Sequence, residues 1–92
     1  MNARIDAVRD YLASRLTNAR IEINETPDGP HFVIRRGDLD WSVLFTNDFL
    51  NSAAPEQLPA RLHELHLIEE LAAVEDLPLV VEPTAIRLLS NN

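Results

Sequence analysis

Apolar and polar residues alternate between positions 20 and 45, and on either side of that stretch apolar residues recur at three- and four-residue steps. Alternation marks half-buried strands, and the longer period marks amphipathic helices. Two turn signals divide the alternating stretch. Gly37-Asp38 suits a two-residue hairpin loop, because glycine takes the positive φ of a primed turn without steric cost. That loop sets Ile34 opposite Trp41, Phe32 opposite Val43 and Arg35 opposite Asp40. The apolar residues then share one face and the charged pair lies on the other. Thr26-Pro27-Asp28-Gly29 has the order of a type I turn with a left-handed closing residue. A four-residue loop there pairs Ile23 with Phe32 and Ile21 with Ile34, whereas a slip of one residue scrambles the faces. The predicted core face is Ile21, Ile23, Phe32, Ile34, Leu39, Trp41, Val43 and Phe45. The outer face is mostly polar, with Val33 and Leu44 as its apolar exceptions.

On the N-terminal side, Ile5, Val8, Leu12 and Leu16 form one stripe and predict a helix from residue 2 or 3 to about 17. After the meander, residues 47–51 read as a helical turn or bend capped by Asn47 or Asp48. Pro55 fits a first helical position, so a second helix is expected to begin between 55 and 58 and run to Val74 or Glu75. This helix is apolar on two sides. Leu58, Leu62, Leu65, Ile68 and Ala72 make one stripe, and Leu67, Leu71 and Val74 lie roughly opposite. A helix covering a small sheet needs only one stripe, so the other must meet the C-terminal segment or another chain. Leu67, Leu71 and Val74, together with Val33 and Leu44, are therefore the candidate interface residues. Leu79-Val80-Val81-Glu82, bounded by Pro78 and Pro83, reads as a short strand suited to a sheet edge. Residues 84–89 read as a further strand or a last helical turn. The expected fold is a two-layer α+β domain spanning residues 1–92, α-β-β-β-α-β with a possible final β, in which helices cover a three-stranded antiparallel meander.

Charge narrows the choice of partner. The net charge is −7, divided as −1 over residues 1–46 and −6 over residues 47–92. Such a balance opposes binding to a phosphate backbone or an anionic membrane surface. All eight basic residues are arginine, which with the richness in Ala and Leu suggests a GC-rich, bacterial coding sequence. The lack of lysine removes Schiff-base and Walker-type phosphate chemistry, and two glycines spent on turns leave no phosphate-cradling loop. The lack of cysteine removes disulfides, thiolate nucleophiles and iron–sulfur ligation. No apolar run approaches the roughly 20 residues that span a bilayer, and the first residues lack a signal peptide's apolar core. A cytoplasmic location is expected.

Candidate chemistry is sparse. His63-Glu64-Leu65-His66 approaches the zinc-protease motif but fails its spacing, since position 67 is Leu. On an unbroken helix His63, His66 and Glu70 would share a polar flank and could hold a metal weakly. Asp38 and Asp40 are accounted for by the turn and by Arg35, and Arg36-Gly37-Asp38 by the hairpin's need for glycine. Asn24-Glu25-Thr26 matches a glycosylation sequon without a secretion signal to give it force. His31 has only Ser42 nearby in the ladder and no orienting acid. The expectation is a protein without enzymatic activity, cofactor or metal.

The order α-β-β-β-α resembles that of double-stranded RNA-binding domains, which meet phosphates with a basic start to the second helix. Pro55-Glu56-Gln57 occupies that place here, so RNA binding is excluded. Order and acidity are also similar to those of the small dimeric chaperones of type III secretion effectors, although this chain is short for that family. That likeness implies a protein that pairs with itself and holds a client. The leading expectation is a small acidic protein–protein interaction module, a homodimer or the stoichiometric partner of another protein. The alternatives are an acidic mimic of nucleic acid, carried by Glu64, Glu69, Glu70, Glu75, Asp76 and Glu82, and a weak metal-dependent activity through His63, His66 and Glu70.

Overall fold

Both hairpins form in the register that their turns dictate. The computed structural model describes residues 3–73 and 78–88. Helix α1 (Ala3–Arg15) leads into strands β1 (Arg20–Thr26), β2 (Gly29–Arg36) and β3 (Leu39–Phe45). A short helix α2 (Asn47–Leu50) and a 3-10 turn (Pro55–Gln57) precede helices α3 (Leu58–Glu64) and α4 (Leu67–Ala73). Strands β4 (Leu79–Val81) and β5 (Ile86–Leu88) close the order. The fold is α+β: helices on a five-stranded, mostly antiparallel open sheet of order β1-β2-β3-β4-β5, with only β3 and β4 parallel.

Ile34 stands opposite Trp41, Phe32 opposite Val43, and Arg35 opposite Asp40. Ile23 meets Phe32 and Ile21 meets Ile34. Gly37 has φ +62°, the left-handed value that the two-residue loop requires. The first turn differs from its expected form. Thr26 pairs directly with Gly29, so the loop is only Pro27-Asp28, and Thr26 Oγ1 donates to the Gly29 carbonyl at 2.6 Å. Gly29 has φ +138°, and a Cβ there would lie 2.1 Å from the Phe45 carbonyl oxygen. Glycine is needed at this position for close approach as well as for the turn.

That approach draws four segments together. The Asn47 amide donates to the Asp28 carbonyl at 3.0 Å, and Asn47 Nδ2 donates to the Pro27 carbonyl at 2.9 Å. Thr46 donates to the Val81 carbonyl through both its amide (3.2 Å) and its hydroxyl (3.0 Å). The same hydroxyl accepts from the Phe49 amide at 3.1 Å, so Thr46, rather than Asn47 or Asp48, caps α2.

The long second helix is broken. Leu65 and His66 form a turn, and His66 takes φ +59° before α4 begins. Through an unbroken helix, Leu62 and Leu67 would point about 140° apart at 3.6 residues per turn. The break re-phases the chain, so that Leu58, Leu62, Leu67 and Leu71 all enter one core, each no more than 1% exposed. Leu67 and Leu71 therefore do not present an interface on the surface, which corrects the expectation drawn from the two-sided pattern. Val74 lies outside the described residues. The strand at residues 79–81 is also not an edge. β4 lies between β3 and β5, with Leu79, Val80 and Val81 buried, and the two prolines flank it without occupying a ladder position. Residues 86–88 form the outer strand instead.

One face of the sheet carries the core. Phe32, Ile34, Trp41, Val43, Phe45, Leu79 and Val81 meet Ile5, Val8, Tyr11, Leu12 and Leu16 of the α1 segment and the leucines of α3 and α4. Phe32 and Phe45 stack edge-to-face with centroids 4.9 Å apart. The two glycines should respond differently to substitution. Gly37→Ala meets no atom within 4 Å and should lose about 1–2 kcal/mol for the left-handed backbone alone. Gly29→Ala adds a backbone clash and should lose clearly more, beyond the roughly 1–3 kcal/mol of the strained φ. Urea denaturation of both variants measures the difference.

Candidate functional site

Two regions of the surface depart from what folding alone requires. The first is the free edge of β1. The larger core-face residues of β2 and β3 are essentially closed to solvent, whereas Ile21 and Ile23 of β1 are only half-buried against the same core. β1 is seven residues long and, among the described residues, pairs on one side only. Its outward residues Arg20, Glu22 and Asn24 are exposed. The other edge, β5, is three residues long, and Leu88 at its end is 52% exposed, the most open large apolar side chain among the described residues.

The outer face of the sheet keeps the apolar exceptions read from the sequence. Val33 and Leu44 are half-buried there. Leu44 lies beside Val80 in the ladder, and Val80 beside Arg87. Val80 is 5% exposed. The guanidinium of Arg87 clamps Glu82 through two bonds of 2.6 and 3.0 Å, which neutralises one of the acids expected to form a nucleic-acid-like surface.

The second region is a pocket of about 260 Å³ where the C-terminal end of α1, the β2–β3 hairpin and α4 converge. Leu16, Leu39, Trp41, Ile68 and Leu71 supply its apolar lining, and Arg15 and Arg36 supply two cations. Among the described residues, Arg9 pairs with Asp6, Arg35 with Asp40, Arg61 with Glu64 and Arg87 with Glu82. Arg15, Arg20 and Arg36 have no carboxylate in range among the described residues, and two of these three line the pocket. Trp41 is 4% exposed, and its indole Nε1 is buried with no acceptor. An unsatisfied buried donor of this kind costs about 1–3 kcal/mol. Nothing in the sequence groups these residues, because they come from three elements and meet only through tertiary packing.

The chemistry weighed from the sequence is not assembled. The break at residue 66 takes His66 off the flank of His63, and its Nδ1 lies 3.8 Å from Glu69. Among the described residues no group of three His, Asp or Glu side chains is placed to hold a metal. Among them, too, no helix is long and apolar enough to cross a membrane. No protein-family model matches the chain, and no curated protein matches it in sequence.

The Arg15 guanidinium lies over the ring of Tyr11, the only tyrosine, 5.4 Å from the ring centre. Burial pushes its phenol above the usual range; Arg15 opposes this and Glu69 adds to it. The neutral phenol is favoured in the folded state, so its contribution to stability is complete below the unfolded value near about pH 10. That contribution is lost as pH rises through the higher folded value. Phenolate absorbance of the native protein should therefore titrate at higher pH than that of the urea-unfolded chain. The helix break has its own test. Glycine inside a helix costs roughly 0.5–1 kcal/mol, but His66 pays about 1–2 kcal/mol for its left-handed backbone. His66→Gly should leave stability unchanged or raise it by up to about 1 kcal/mol, as measured by urea denaturation.

Proposed function

We propose that the protein is a small acidic protein-interaction module of the cytoplasm, without catalytic activity, that pairs with a second copy of itself through β1. The observation that carries this reading is the long unpaired edge of β1 beside two isoleucines that the helices leave half-covered. An open edge offers a row of backbone donors and acceptors to any strand that can align with it. A second copy aligns antiparallel across a two-fold axis and uses the same residues on both sides.

Charge favours one register. Pairing centred on Ile23 sets Ile23 against Ile23, Glu22 against Asn24 and Arg20 against Thr26, with no like charges opposed. Centring on Glu22 would place two glutamates face to face. β1 also belongs to the half of the sequence whose net charge is only −1, where self-association meets the least repulsion. In such a pair Ile21 and Ile23 gain cover, and the sheet runs continuously through both copies.

Light scattering on a sizing column, over a range of concentrations, tests the reading. A mass twice the 10.4 kDa of one chain is expected. Ile23→Lys, an inward charge at the edge, should reduce it to a single chain while the circular dichroism of the fold persists. Leu88→Lys on the opposite edge should leave the dimer intact. A wild-type protein that stays single at every concentration overturns the proposal, as does a dimer that Leu88→Lys breaks and Ile23→Lys does not.

A further inference from the structure

We infer that the pocket between α1, the β2–β3 hairpin and α4 binds a small carboxylic acid with an apolar body. The argument begins with charge. Four arginines of this acidic chain pair with carboxylates, whereas Arg15 and Arg36, with no carboxylate in range among the described residues, border one apolar recess. The two guanidinia, both on exposed residues, offer planar forks of donors suited to carboxylate oxygens. No acidic side chain stands among the described lining residues to pair with them. The indole N–H of Trp41 is closed to solvent, so the two guanidinia are the donors that a ligand meets. A ligand with oxygen atoms at one end therefore matches the site, and one with an ammonium group does not.

The apolar lining sets the rest of the molecule. Leu16, Leu39, Trp41, Ile68 and Leu71 present hydrocarbon and an indole ring with no acidic side chain among the described lining residues. The volume of about 260 Å³ lies just below the roughly 300–1,000 Å³ typical of drug-sized ligand sites. The occupant is therefore smaller than a nucleotide or a dinucleotide cofactor, and a medium-chain or single-ring carboxylic acid is the class that fits. The carboxylate meets Arg15 and Arg36, and the body lies against Trp41 and the leucines.

Trp41 is the only tryptophan, so its emission reports directly on this wall. Titration of the 92-residue chain with octanoate should change that emission saturably and should raise the melting temperature. Octylamine should not bind, and octanol should bind at least about tenfold more weakly for want of the charged hydrogen bonds. Arg36→Gln should weaken octanoate binding by about tenfold or more, while Arg20→Gln, which removes an unpaired arginine outside the pocket, should leave it unchanged. Ala72→Phe, at an exposed position on the pocket's border, should abolish binding in a protein that still melts cooperatively. Octylamine or octanol binding as tightly as octanoate overturns the inference. So does the absence of saturable change, or wild-type affinity in either Arg36→Gln or Ala72→Phe.

Discussion

The approach of Gly29 to the Phe45 carbonyl is the constraint on which the rest of the architecture depends. It brings the β1–β2 turn against the end of β3, where Asn47 bonds to the two turn carbonyls. Thr46, in the same link, holds Val81 through its amide and its hydroxyl and caps the helix that follows. One two-residue connection thereby fixes a turn, a helix start and the parallel seam between β3 and β4. A side chain at position 29 would part these elements, because the obstacle is backbone, which cannot swing aside as a side chain does.

The meander was legible in the sequence because two independent constraints agree there. Turn chemistry fixes a register for each hairpin, and the alternation of Ile, Phe, Trp and Val demands the same one. The helical segment was less legible. Its residues carry two apolar stripes that no straight helix can bury together, and a histidine in the left-handed region reconciles them. Glycine or asparagine would have advertised such a break, as Asn18 does after α1, but His66 carries no local sign of it. The trace that did exist was the step of five between Leu62 and Leu67, interpretable as a phase change as well as a second face.

The central position of β4 is hidden in the sequence for a related reason. Proline excludes ladder positions, not neighbouring ones, and Pro78 and Pro83 stand just outside a strand that is central and buried. Sheet order is decided by where the crossover returns the chain, and local residue types say little about that. The same holds for the pocket at Trp41. Arg15, Arg36 and Ile68 are far apart in sequence and unremarkable singly. Their meaning comes from the acids they lack, which only the pairing of the other arginines reveals.

The parallel seam also sets an order of events during synthesis. Thr46 and Val81 are 35 residues apart, whereas each hairpin closes within its own short turn. Loop-closure entropy and the direction of translation therefore favour the meander over the seam. Until α3, α4 and β4 emerge, the nascent sheet shows Phe32, Trp41 and Phe45 to solvent, covered on that side only by α1. The cell thus meets, for part of each synthesis, an amphipathic three-stranded sheet, and it is in that interval that this chain is most exposed to aggregation.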